Sequence, residues 1–183
     1  QDFVKQIGEA CDRFDIPFLF ELLVFPLDSD THQTKDYVEM TGKKADHVLA
    51  SVEEFAKPDY GVDVFKLESP VGADQVPGVG RPWVMLSAGA GKTQFRNILT
   101  HAYQAGASGY LAGRAIWLDA FSHFPDWDRM RADLSGEACS YMDDLNELTE
   151  AKAMPWHRHP LFDGDGLAFA PADATFRDTY AEI

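Results

Sequence analysis

Trp83-Val84-Met85-Leu86-Ser87-Ala88-Gly89-Ala90-Gly91, then a helix-forming segment from about Lys92 to Ala105, then Gly106-Ala107-Ser108-Gly109-Tyr110-Leu111-Ala112-Gly113: this stretch decides the fold. A short apolar run reads as a strand, and the small-residue loop after it opens a helix. Glycine closes that helix, and a second short apolar run follows. Strands that alternate with helices make a parallel sheet.

The same rhythm extends outward. On the N-terminal side, Val62 to Glu68 reads as a strand ended by Ser69-Pro70, with a glycine-rich connection from Val71 to Gly80. Before it, Lys35 to Ala56 has helical periodicity. Phe18 to Phe25 is a nearly continuous apolar run, as expected of a parallel strand buried on both faces. Val4 to Phe14 reads as the end of an amphipathic helix, turned by Asp15-Ile16-Pro17. On the C-terminal side the chain is mainly helical through Ala153, including Cys139 to Lys152 with an apolar stripe at Met142, Leu145 and Leu148. Past Pro155 the composition predicts an irregular tail. The expected architecture is α/β, with about four βα units, which is half of a TIM (β/α)8 barrel. A complete barrel takes ~250 residues, so a preceding half is expected to be absent from this chain.

Composition narrows the partners. The 183 residues are 45% apolar and carry a formal charge of −14, which disfavours nucleic acid and anionic membrane. A phosphorylated ligand would need a local cluster of backbone N–H groups and a placed cation. No apolar run reaches the ~18–20 residues needed to span a bilayer, and Gln1 to Lys5 lack the apolar core of a signal peptide. Cys11 and Cys139, the two cysteines, are expected to be unpaired thiols of a cytoplasmic protein.

In a parallel α/β barrel the chemistry lies at the carboxyl ends of the strands, so polar residues inside apolar strands come first. Lys66 shares parity with Val62, Val64 and Glu68. Burial of a lysine favours the neutral amine, which can attack a carbonyl. Glu68 is placed to pair with it, and on spacing alone a structural Lys–Glu pair at a strand end is the simpler reading. Glu21 is the second polar intruder. A carboxylate there is partnered, protonated or working, and it could shuttle protons.

Leu86-Ser87-Ala88-Gly89-Ala90-Gly91-Lys92-Thr93 invites a P-loop reading that fails, because Leu86 stands where glycine is required. A small-residue loop that enters a helix still offers N–H groups to an anion. With Gly113-Arg114 after the next strand, it matches the phosphate site that barrels build from consecutive strand-end loops. Other features read as bland: His157 and His159 as solvated tail residues, Asp163-Gly164-Asp165-Gly166 as an incomplete calcium loop, and Trp83, Trp117 and Trp127 as packing.

Together, Ile16-Pro17-Phe18-Leu19-Phe20-Glu21-Leu22, Asp63-Val64-Phe65-Lys66-Leu67-Glu68-Ser69-Pro70, Leu86-Ser87-Ala88-Gly89 and the segment from Ala105 through Gly113-Arg114-Ala115-Ile116-Trp117 resemble the tagatose 1,6-bisphosphate aldolase family. They are also similar to its relative that cleaves 6-deoxy-6-sulfofructose 1-phosphate. The resemblance implies the C-terminal half of a class I aldolase barrel over residues 1–156, with a tail over 157–183. It places Lys66 on the sixth strand as the Schiff-base lysine and makes Glu21 the proton-transfer residue. Ser87, Gly89, Gly113 and Arg114 would hold the phosphate of the dihydroxyacetone-phosphate end. No metal or other cofactor is implied; the partner is a small phosphorylated sugar, and a homo-oligomer is possible. Arg81 to Ser87 looks closer to the sulfosugar branch and Glu21-Leu22-Leu23 to the tagatose branch. Tagatose 1,6-bisphosphate is the leading substrate expectation. The sulfosugar and a non-catalytic phosphosugar-binding barrel are the alternatives, and this half alone is expected to be inactive.

Overall fold

The computed structural model describes residues 1–23, 43–68, 80–87 and 90–162. Within them, helix α1 (Asp2–Arg13) precedes strand β1 (Leu19–Leu22). Next come α2 (Lys43–Phe55), β2 (Val64–Leu67), β3 (Trp83–Leu86), α3 (Lys92–Gln104) and β4 (Gly109–Leu111). Helices α4 (Arg114–Phe121), α5 (Trp127–Asp133) and α6 (Cys139–Lys152) follow, with one π-helical turn at Leu134–Ala138 joining the last two.

The four strands form one parallel sheet in sequential order, β1-β2-β3-β4. Side chains alternate between its faces. Phe65, Leu67, Trp83 and Met85 point into a core closed by Val48 and Val52 of α2, Phe95 and Leu99 of α3, and Leu145 and Leu148 of α6. Burial of that apolar surface is the main driving force for the sheet–helix packing. The opposite face carries Leu19, Glu21, Val64, Lys66, Val84 and Leu111, and there Leu19 and Leu111 are 43% and 44% exposed.

Glycine and aspartate set several boundaries. Gly106 adopts φ 87° just past α3, where a side chain would be strained. Asp126 caps α5, its carboxylate accepting the Arg129 N–H at 3.0 Å. At Gly8 on α1 a Cβ would lie 2.1 Å from the Tyr60 carbonyl oxygen, so the helix can meet that turn only through glycine.

The structure corrects several expectations. The run from Phe18 contributes a strand of four residues that is covered on one face, not both, since Leu19 and Leu23 are exposed on the other. β2 starts at Val64 instead of Val62, and the Asp63 side chain just before it accepts the Phe18 N–H. Trp83 is core, but Trp127 is 59% exposed and meets Phe124 edge to face. Met142 is exposed; the buried stripe of α6 runs through Tyr141, Leu145 and Leu148. In the first part of the tail, His159 is buried, not solvated, its Nδ1 accepting the Leu161 N–H at 3.1 Å. The aspartate–glycine segment 163–166 lies outside the described residues. Both cysteines are free thiols, and no helix among the described residues is long and apolar enough to cross a membrane.

Candidate active site

Parallel pairing puts Glu21 of β1 directly abreast of Lys66 of β2. The Lys66 Nζ donates to Glu21 Oε2 at 2.9 Å, with the two side chains 21% and 44% exposed. The same row continues across the sheet through Val84 of β3 to Gly109 of β4. Beside Lys66, on the side away from Glu21, the row is therefore small and apolar: a valine, then a glycine whose added Cβ would meet only Val84 Cγ1 at 3.7 Å. An amine and a carboxylate side by side are the two groups that condensation with a carbonyl and the accompanying proton transfers call on.

The lysine's hydrogen bond goes to Glu21 across the strands; Glu68 is the group that spacing offered. It lies two residues further along β2, roughly 6.6 Å at strand rise, and is buried with 4% exposure. The register that brings Glu21 beside Lys66 is not written in the sequence of either strand alone.

The expected anion-binding groups sit one and two strands along. Ser87, at the carboxyl end of β3, is 9% exposed, and its carbonyl accepts the Ala90 N–H at 2.9 Å. Gly91 then starts α3 with no side-chain cap. Gly113 starts α4 in the same way, its carbonyl accepting Ile116 and Trp117 N–H groups at 2.8 and 3.2 Å. The N–H groups of Arg114 and Ala115 donate to no acceptor among the described residues. Arg114 is exposed at that helix start, and its guanidinium has no ion partner among the described residues. Free N–H groups at a helix start and a guanidinium on its first residue are the kinds of group that bind anions. Gly89 lies outside the described residues. Lys92 pairs with Asp119 and Glu137 at 3.1 and 3.9 Å, a second reason that the loop is no P-loop.

Among the described residues no cluster of three or more histidine, cysteine, aspartate or glutamate side chains is arranged to hold a metal. A cavity of about 860 Å³ opens at the opposite, amino end of the strands, bordered by Pro17, Asp63, Arg81, Pro82, Ser108 and Trp156. The Glu21–Lys66 pair does not line it, so its size is no guide to the chemistry.

A model of the DeoC/LacD family of aldolases matches residues 1–119. The chain belongs to the DeoC/LacD aldolase family. A family relative, the tagatose 1,6-diphosphate aldolase of Listeria monocytogenes serotype 4a (strain HCC23), is 30% identical over 181 residues, which cover 84% of this chain and 53% of that protein. Tagatose 1,6-diphosphate aldolase 1 of Enterococcus faecalis is 31% identical over 146 residues, 67% of this chain and 44% of the relative. Tagatose 1,6-diphosphate aldolase 1 of Streptococcus mutans is 28% identical over 183 residues, 85% and 55% respectively. This DeoC/LacD chain thus spans about half the length of the curated relatives it matches.

Proposed function

We propose that the chain is the catalytic half of a class I aldolase barrel that cleaves a phosphorylated ketose to dihydroxyacetone phosphate and an aldehyde. The observation that carries this reading is the Lys66–Glu21 contact at 2.9 Å, in a DeoC/LacD family chain.

The steps follow from the positions. Glu21 accepts the proton of the Lys66 ammonium, and the free amine attacks the ketose carbonyl at C2. Loss of water gives an iminium, which draws electrons from the adjacent C3–C4 bond. A carboxylate takes the proton of the C4 hydroxyl as that bond breaks, the aldehyde departs, and the electron pair remains as an enamine. Return of the proton to C3 and hydrolysis of the iminium release dihydroxyacetone phosphate and restore Lys66. Glu21 is the group placed for these proton transfers. The phosphate is held by Arg114 and the N–H groups around Gly113, with Ser87 and Gly89 of the preceding loop. Anchoring there fixes C2 near the amine and converts a bimolecular encounter into a local reaction.

The barrel assignment is supported by sequential parallel strands with helices packed on one face and by relatives about twice as long. On the opposite face Leu19, Leu23 and Leu111 are 40–44% exposed, a surface that further strands would cover. Tagatose 1,6-bisphosphate is the favoured substrate because the similar proteins carry that name. The sulfosugar alternative rests on the short segment from Val71 to Pro82 and on Arg81 to Ser87.

The test is product release by the polypeptide that carries the whole barrel, offered tagatose 1,6-bisphosphate, other ketose bisphosphates and 6-deoxy-6-sulfofructose 1-phosphate. Dihydroxyacetone phosphate should appear with a chelator present and not with Lys66→Ala. Binding of these sugars without cleavage would leave a phosphosugar-binding barrel in place of an aldolase.

A further inference from the structure

At the amino ends of β1 and β2, three hydrogen bonds tie Phe18 to the segment that opens β2. The Phe18 N–H donates to Asp63 Oδ2 at 2.7 Å. The Phe18 carbonyl accepts from the N–H groups of Asp63 and Val64 at 3.0 and 3.2 Å. Two of these bonds are ordinary backbone pairing. The third is made by a side chain, and as an N–H bonded to a carboxylate it is stronger than a neutral one.

Its location matters because of what lies three residues further on. Glu21 follows Phe18 by three positions and Lys66 follows Asp63 by three, and these two are the pair in register. A slip of one residue turns every side chain of a strand to the other face. Glu21 would then point at the helices, and Phe20 or Leu22 would stand beside the amine. The inward side chains of β1 oppose such a slip only beyond its exposed first residue. Leu22 is 7% exposed and Phe20 packs on Phe55 and Phe65, so burial favours the native register from the carboxyl half of the strand. Leu19 at its amino end is exposed and leaves that end to the hydrogen bonds at Phe18.

We propose that Asp63 is a positioning residue, whose carboxylate clamps the start of β1 so that Glu21 stands beside Lys66. The inference rests on the reading of Glu21 and Lys66 as the reacting pair. Asp63 also borders the amino-end cavity together with Asp12, Asp15 and Asp59, and a purely electrostatic role there is the competing account. The two differ in what the side chain must keep: an acceptor oxygen for the clamp, a negative charge for the cavity.

Asp63→Asn and Asp63→Ala in the polypeptide carrying the whole barrel separate them. Asparagine keeps an acceptor and loses the charge, and should stay within about threefold of the parent kcat. Alanine should lower kcat by about tenfold to a hundredfold, the scale of a small misplacement of reacting groups. KM for the phosphorylated ketose should move less than about twofold, since the phosphate groups are carried by β3, β4 and their loops. Amide exchange at Phe18 should quicken in the alanine protein alone. If that protein does not fold, Asp63→Glu, which keeps the charge and displaces the acceptor, should show the kcat loss. Parent-like kcat in the alanine or glutamate variant would overturn the proposal, as would equal loss in the asparagine and alanine variants. A parent enzyme with no aldolase activity would sink the functional reading instead, and Phe18 exchange would still report on the clamp.

Discussion

In the proposed reaction Lys66 and Glu21 work through one contact, yet the two substitutions should fail differently. Lys66→Ala removes the amine proposed to bond to substrate, and no covalent intermediate should form. Glu21→Gln keeps the shape and loses the proton acceptor, so kcat should fall by about 10²–10⁴-fold, as for loss of general acid–base catalysis. An adduct at Lys66 should still accumulate, slowly, when that variant is held with dihydroxyacetone phosphate. Arg114→Ala should raise KM by about tenfold or more, the worth of a charged hydrogen bond, with a smaller change in kcat; steady-state kinetics would check it. Both members of the proposed reacting pair were legible in the sequence, because each is a charged residue in an otherwise apolar strand. Their partnership was not. Spacing suggested Glu68 for Lys66, whereas strand register supplied Glu21, and register depends on two distant segments meeting. Asp63 escaped notice for the same reason, since its acceptor role exists only when Phe18 lies opposite.

At the scale of elements, β3 and α3 came out of the sequence almost residue for residue. Glycine and proline punctuate both, with Gly91 starting the helix and Gly106 ending it at positive φ. Helix α6 was harder to read, because its acid-rich surface hides which turn faces inward. The buried positions follow Tyr141, whose hydroxyl donates to the Lys92 carbonyl at 2.7 Å and ties α6 to the start of α3. Tyr103 makes a second tie, 2.6 Å from the Thr149 hydroxyl oxygen. Burial pushes the Tyr103 and Tyr141 hydroxyls up to about 12. A raised native pKa stabilises the fold fully below the unfolded tyrosine value near 10 and is lost as pH climbs through the native value. Stability should therefore decline between about pH 10 and 12, and Tyr103→Phe should flatten part of that decline in denaturant titrations. Gly8→Ala is the sharper test of packing. Its Cβ would meet the Tyr60 carbonyl oxygen at 2.1 Å, and an overpacked contact of this kind costs about 1–3 kcal/mol, to be read as a lower melting temperature.

For the molecule as a whole, the sheet has one covered face and one open face. Leu19, Leu23 and Leu111 line the open side at 40–44% exposure, and the relatives have about twice this chain's length. The chain made alone should self-associate and bind an apolar dye through that face, while the whole barrel should do neither to the same extent; sedimentation and dye fluorescence would compare them. Alternating strands and helices revealed the parallel sheet from sequence. They also misled at one point, because an apolar β1 reads as buried on both sides whether or not its second layer is present.

The account's central claim is a covalent bond between Lys66 and a sugar carbonyl. It is tested most directly by incubating the whole-barrel polypeptide with dihydroxyacetone phosphate, reducing with borohydride, and mapping the adduct by mass spectrometry. The prediction is one reduced three-carbon phosphate adduct, located on Lys66 and absent from Lys66→Ala. No adduct, or an adduct on another lysine that survives Lys66→Ala unchanged, would contradict it.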